Sequence, residues 1–551
     1  MTPAARSREH AAATGTLTHR QIMVILSGLM LGMFLAALDQ TVVSTAMRVI
    51  ADKLDGQTAQ AWVTTAYLVT STITVPLYGK LSDQFGRKQF YMFAIVIFVV
   101  GSMLCGTAHS IYVLAAYRAI QGIGAGGLMS LAFAIVGDIV PPRQRGRYQA
   151  YFTSIFAVSS VLGPVLGGFF AGQETILGID GWRWIFYLNV PIGLAALTVV
   201  ARNLSLPGRR SDHRIDFLGA GLLTVGVIPL LLVAEKGREW GWGSPLSVAM
   251  ITLGFVALAL FVPREARMGE EAILPLRVFR NGIFNVAGTT SFLVGAVMFG
   301  GLTSVPLYLQ IVRGKSPTEA GLLMVPFMVG IVVSSQTSGR LMGRTGRYKI
   351  FPIIGTAVMS VAMFLFSTLK YDTPIWHAEA FMVLMGLGLG LTMQTLVISV
   401  QNALPPKDMG IATSSVTFFR SMGATFGVAT ALAILFGSVI GNIKQRAAEA
   451  GLPPAVLARF NDLSGLNDTS GIAKLPAQVQ TVVLQGFADS MHTVFVAVGV
   501  LLIPAFVLTF FIKEVPLRAT GGLAAAAAED AEDGGESRSR GNRAEAATAV
   551  V

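Results

Sequence analysis

The sequence predicts an all-α polytopic membrane protein: two six-helix bundles plus two inserted helices, fourteen transmembrane helices in total. Three observations predict it. Of the 551 residues, 53% are hydrophobic and only 13% are charged, where a soluble chain carries about 25% charge. The apolar residues fall in long runs, and roughly 20 such residues cross about 30 Å of hydrocarbon as a helix. Two short polar motifs recur at nearly one offset, which divides the chain into related halves.

Fourteen runs are expected near 22–47, 61–80, 91–109, 111–138, 150–171, 183–203, 215–235, 246–264, 283–312, 318–339, 351–369, 377–401, 412–438 and 491–513. An even number puts both termini on one side, and basic residues choose that side. With the termini in the cytosol, 27 of the 41 Lys and Arg lie on cytosolic segments and 12 on outer ones, while Arg118 and Arg420 fall within spans. The expected organisation is a cytosolic segment 1–20, a first bundle 21–205, two inserted helices 206–270, a second bundle 271–513 with a long outer loop 439–490, and a disordered cytosolic tail 514–551. The loop contains apolar stretches expected to form short helices at the outer surface. Residues 1–20 are polar and the first apolar run is a full span, so no cleavable signal peptide is expected. The formal charge of +11 would point to nucleic acid in a soluble protein. Here topology-setting loops account for it, and no nucleic-acid partner is expected. The one cysteine, Cys105, lies in an apolar run, so no intrachain disulfide is possible.

The repeat rests on two pairs. GKLSDQFGRK begins at Gly79 and GRLMGRTGRYK at Gly339, with Gly79, Leu81, Gly86 and Arg87 matching Gly339, Leu341, Gly346 and Arg347. PPRQRG at Pro141 and PPKDMG at Pro405 agree at an offset of 264 residues. Repeated halves around a midplane cavity are the architecture of many secondary transporters.

Among the acids, Asp39 alone lies deep in a span by this assignment. A charge in hydrocarbon costs about 3 kcal/mol or more, so it faces a cavity or a partner and marks function. At about 1.5 Å per residue, Asp39 lies about 7 Å and Arg118 about 9 Å to the outer side of the midplane. Two lone opposite charges at one depth point to an interaction across the cavity. Asp can release a proton and Arg cannot. The pair is therefore either a proton-carrying site or a fixed ion pair that orients helices. Arg420, in a later span, serves an anionic group or helix packing. Asp83, Arg87 and Asp138 could form a charge cluster that holds the cytosolic side shut, or could merely set topology. In GPVLGG, Gly163 and Gly167 allow close helix approach and Pro164 can bend the helix. With Gly168, they suit a pivot or seal between halves, or plain packing.

Together these residues resemble the major facilitator superfamily, in its fourteen-span branch of drug–proton antiporters. The resemblance covers about residues 20–513. It is carried by LDQTVVSTAM in span 1, GKLSDQFGRK between spans 2 and 3, YRAIQGIGAGG in span 4 and LGPVLGG in span 5. It implies the major facilitator fold and a multidrug exporter in the plasma membrane with no enzymatic activity. It implies proton coupling at Asp39 assisted by Arg118, and a cytosolic latch at Gly79, Asp83, Gly86, Arg87 and Asp138. It also implies an antiporter motif at Gly163, Pro164, Gly167 and Gly168. Two departures stand out: Ser44 and Arg48 replace the Asn and Pro often found in span 1, and Gly343 stands where Asp83 would repeat.

The expected substrate is a small amphipathic drug, dye or antibiotic. Candidate cavity residues are Gln121, Gln310, Gln394 and Arg420, with aromatics and methionines such as Phe34, Tyr67 and Met393. No cofactor is expected beyond the proton as coupling ion. The sequence leaves the oligomeric state open and is compatible with a monomer. A lipid exporter or flippase is a rival reading. A proton-coupled nutrient symporter is another, against which GPVLGG argues. The six histidines are scattered, and no nucleophile elbow, phosphate loop or ATP-binding motif is present, which argues against an enzyme or a primary pump.

Overall fold

The computed structural model describes residues 18–55, 59–204, 216–405, 408–451 and 475–517. The expected tail 514–551 and segment 1–20 thus lie almost wholly outside the described residues. Fourteen long helices cross the described part: α1 His19–Lys53, α2 Ala61–Phe85, α3 Arg87–Gly106, α4 Ile111–Ile139, α5 Pro142–Ala171, α6 Asn189–Asn203, α7 Phe217–Trp240, α8 Pro245–Met268, α9 Gly282–Leu307, α10 Val325–Thr345, α11 Ile350–Ser367, α12 Ile375–Ala403, α13 Met409–Glu449 and α14 Ala477–Phe510. A two-stranded hairpin, Thr175–Ile176 with Ile179–Asp180, precedes α6. A π-helical turn, Tyr308–Val312, ends α9.

By length and composition, 13 helices suffice to cross a membrane, and α2 is not among them. Its apolar residues are interrupted by Thr64, Thr65, Thr70, Ser71, Thr72 and Thr74. Several of these hydroxyls bond their own helix, as Thr70 Oγ1 does to Ala66 O (2.8 Å) and Thr74 Oγ1 to Thr70 O (2.9 Å). Polar side chains satisfied in this way are compatible with a membrane helix.

The first and last described residues meet the same face. His19 Nδ1 lies 2.6 Å from Tyr148 Oη. Tyr348 Oη donates to Lys513 O, and Asn402 Nδ2 to Val515 O and Pro516 O, each at 3.2 Å. This is the terminal face below. The opposite face corrects one expectation. The loop expected at 439–490 is much shorter, because α13 runs on to Glu449 and α14 begins at Ala477. Its apolar stretch AQVQTVVLQGFADSM opens α14 itself. Arg446 and Asp489 tie the extensions together, with Nε to Oδ2 at 2.7 Å.

Lipid tails are as apolar as Leu, so packing and polar satisfaction hold these helices together. α4 and α12 show how. Gly122 and Gly126 face α2, where an added Cβ would meet Tyr67 O and Ser71 O, and Gly124 faces Phe98 on α3. Gly386 and Gly390 face Phe327 O and Ile331 O on α10, and Gly388 faces Gly355 O on α11. Each glycine of α12 lies 264 residues after its counterpart. Each central helix thus carries small residues on two faces and packs backbone against backbone on both. The inserted pair leans on the seam between halves: Leu223, Val227 and Leu231 of α7 pack with Val69 and Ile73 of α2 and Phe418 of α13. Asp216 caps α7 at Gly219 N (3.0 Å) and takes Arg264 Nη2 of α8 at 2.9 Å.

Candidate functional site: a buried carboxylate and a closed terminal face

Asp39 lies midway along α1 and is 1% exposed. Arg118 of α4 donates from Nη1 to its Oδ2 at 2.5 Å. Its Oδ1 accepts from Gln121 Nε2 (2.9 Å) and from Asn189 Nδ2 of α6 (2.8 Å). Arg118 Nη1 also donates to Gln121 Oε1 (2.7 Å), and its guanidinium stands 4.0 Å over the Tyr67 ring. Asn189 is held in turn by Ser102 Oγ (2.9 Å). Five helices of the first half, α1, α2, α3, α4 and α6, therefore contribute to one polar cluster around the carboxylate. Both oxygens accept hydrogen bonds, and the guanidinium also meets Gln121 Oε1 and the Tyr67 face.

Two residues of this site stand differently from expectation. Gln121 was expected in a substrate cavity, but it is fully buried and spends its amide on Asp39 and Arg118. Asn189 was not singled out. Its signal was available: a lone amide in YLNVPIG, inside an apolar run.

The second cluster lies on the terminal face. Arg87 pairs with Asp83, donates to Asp138 Oδ2 from Nε (2.7 Å) and donates to Ser82 Oγ from Nη1 (2.6 Å). Asp83 also crosses between halves. Its oxygens accept from Gly410 N and Ile411 N, each at 3.2 Å, at the first turn of α13. An acid at a helix N-terminus satisfies free amides and meets the positive end of the helix dipole. Gly79 and Gly410 bring α2 and α13 into contact, since a Cβ on Gly79 would lie 2.9 Å from Gly410 O. Gly146 and Gly339 do the same for α5 and α10, with 2.8 Å from such a Cβ to Gly339 Cα. The repeat explains the pairing: the first glycine of each loop motif, Gly79 or Gly339, meets the glycine that ends the other motif in the other half, Gly410 or Gly146. Gly86 has φ +106°, the open backbone that joins α2 to α3, and contacts nothing through an added Cβ. At Gly343 no acid meets α5, so the two crossings are unequal in charge. Arg145 Nη1 adds a third link, to Gln401 Oε1 at 3.2 Å.

In the GPVLGG segment the close glycine approaches are made within one half. Gly163 and Gly167 face α1 of their own half, against Thr41 and Val42 O, and Thr41 Oγ1 donates to Ser159 O (3.0 Å). Gly168 faces open space. Pro164 approaches the other half, 3.7 Å from where a Cβ on Gly321 would stand. The segment packs α5 onto α1 two residues beyond Asp39, so it braces the carboxylate's helix.

The other cavity candidates are not brought together. Gln394 is buried and joins the halves, donating from Nε2 to Thr153 Oγ1 of α5 (2.9 Å) and to Ser335 Oγ of α10. Gln310 lies in the π-helical turn near the opposite face. Arg420 lies alone in α13, partly exposed.

The profile of the family described as Major Facilitator Superfamily matches residues 29–428. A Mycobacterium tuberculosis protein described as an uncharacterized MFS-type transporter is 38% identical over 495 residues, covering 90% of this chain and 70% of that one. The Multidrug transporter protein MdtP of Bacillus subtilis is 34% identical over 516 residues, covering 90% and 93%. Among solved structures, the proton:xylose symporter XylE shares the fold with a TM-score of 0.60 at 17% identity, over 93% of this chain and 100% of that chain. The chain belongs to the major facilitator superfamily, a family of membrane transporters and not of enzymes.

Proposed function

We propose that this protein is a proton-driven antiporter that exports amphipathic drugs, dyes or antibiotics from the cytosol, with Asp39 as the proton carrier. The observation that carries the reading is the Asp39 carboxylate, buried and held by three donors. Its guanidinium partner also meets Gln121 Oε1 and the Tyr67 ring. In this reading the terminal face is cytosolic and the membrane is the plasma membrane. The closed terminal face then belongs to one end of an alternating-access cycle, in which rocking of the halves exposes the site to either side. The name of the MdtP relative supports drugs as cargo. Protons are the coupling ion, and no other cofactor is required.

The test is transport in inside-out membrane vesicles that carry the protein. An imposed proton gradient, acid inside, should drive ethidium into the lumen, and an uncoupler should stop it. Accumulation that ignores the uncoupler contradicts proton coupling. Transport only of fluorescent phospholipid would replace the drug reading with lipid export.

A further inference from the structure

We propose that Arg420 is the docking group for an anionic substituent on the transported molecule, so that the cargo includes amphipathic acids and zwitterions as well as cations. The proposal rests on the export reading only for the statement that its ligand is cargo.

Arg420 lies 11 residues into α13, about 16 Å from its start at about 1.5 Å per residue. Its surroundings differ from those of six other arginines. Arg87, Arg118, Arg264, Arg277 and Arg446 each pair with an aspartate, and Arg145 donates to Gly137 O and Val140 O. Arg420 makes no hydrogen bond or ion pair among the described residues, and no acid acts on it. A guanidinium inside a span is costly unless it has a partner or meets water in a cavity. Arg420 is half-buried.

The helix period shows where it faces. Met409 and Thr413 share its side of α13. Thr413 Oγ1 accepts from Gln401 Nε2 of α12 (2.9 Å), and Met409 lies against Gly137 of α4. These are the two central helices, so Arg420 faces the middle of the molecule between the halves. The repeat gives its depth. At the 264-residue offset, position 420 corresponds to 156 on α5, three residues before Ser159, which bonds Thr41 near Asp39. Arg420 therefore lies within about 5 Å of the depth of Asp39, in the other half.

The chemistry of the side chain suits an anion. Ser291 is buried with an unpartnered hydroxyl on α9, between Gly288, which faces Phe419, and Gly295, which faces the Arg420 carbonyl. A planar guanidinium matches a carboxylate or sulfonate with two parallel donors.

The experiment is equilibrium binding to the full-length protein in lipid nanodiscs, read by fluorescence polarisation. The probes are rhodamine B, which carries one carboxylate, and its ethyl ester, which lacks that charge. The wild type should prefer the acid. Arg420→Gln should weaken acid binding by at least about tenfold and leave the ester unchanged, which also shows that the variant is folded. Arg420→Lys should fall between. Equal loss of both probes in Arg420→Gln overturns the proposal in favour of helix packing, as does an unchanged acid affinity. A wild type that prefers the ester, or binds neither dye, also overturns it. Vesicle export of the same dyes separates the two readings. Acid binding that depends on Arg420 without export of either dye supports the anion site and contradicts export.

Discussion

At the residue scale, the account turns on how Asp39 and Arg118 share their burial. Removing one member of a buried pair leaves an uncompensated charge, at a cost of about 3–5 kcal/mol. Arg118→Gln should therefore lower the thermal stability of the purified protein sharply. The double variant Asp39→Asn with Arg118→Gln should recover much of that loss. A double variant no more stable than Arg118→Gln alone would show that the pair does not act as a unit. Asn189→Ala removes one of three donors to the carboxylate and should cost about 1–3 kcal/mol. Asp39 and Arg118 were legible in the sequence because a charge inside an apolar run stands out. Asn189 was missed because an amide perturbs hydropathy little. Gln121 was misassigned because position along a helix does not tell which neighbour its amide meets. The tertiary structure turns it toward Asp39.

At the scale of elements, closure of the terminal face depends on two glycine crossings and one acidic cap. A Gly146→Val substitution sets its side chain against the backbone of Gly339, which cannot yield as a flexible side chain would. The halves should part at that face. Cysteines placed at Arg143 and Gly343 would report this as loss of oxidative cross-linking, with buried Cys105 as the lone native thiol. Undiminished cross-linking would show that the crossing does not hold the face shut. Asp83→Asn keeps the shape of the cap but removes its charge at α13. A cap of this kind is worth about 1 kcal/mol, so the closed-to-open ratio should fall roughly fivefold. The repeated loops were visible as sequence pairs, yet which glycine meets which across the halves was not. The shortened loop at 439–490 has a related cause. Apolar runs mark the part of a helix inside lipid, while α13 and α14 continue on polar residues held by Arg446 and Asp489. For GPVLGG, small residues announced close approach but not to which helix, and the partner proved to be α1.

At the scale of the whole molecule, the fold was the most legible part. Fourteen apolar runs and one repeat implied two six-helix units with an inserted pair, and the helices lie where those runs are. The inserted pair settles on α2 and α13, the helices joined by Asp83. It therefore spans the seam that must flex if the halves rock. Reporter fusions at each end test the orientation: a fluorescent protein should light up at both termini, and a periplasm-dependent phosphatase should stay inactive at both. An active phosphatase at either end would invert the proposed direction of transport. The central claim is that the Asp39 proton is exchanged for cargo, and proton release on cargo binding tests it most directly. Adding ethidium to weakly buffered, purified wild-type protein should release protons, and Asp39→Asn should bind ethidium without releasing any. Equal release from both proteins would place the coupling proton elsewhere and leave Asp39 as a structural partner of Arg118.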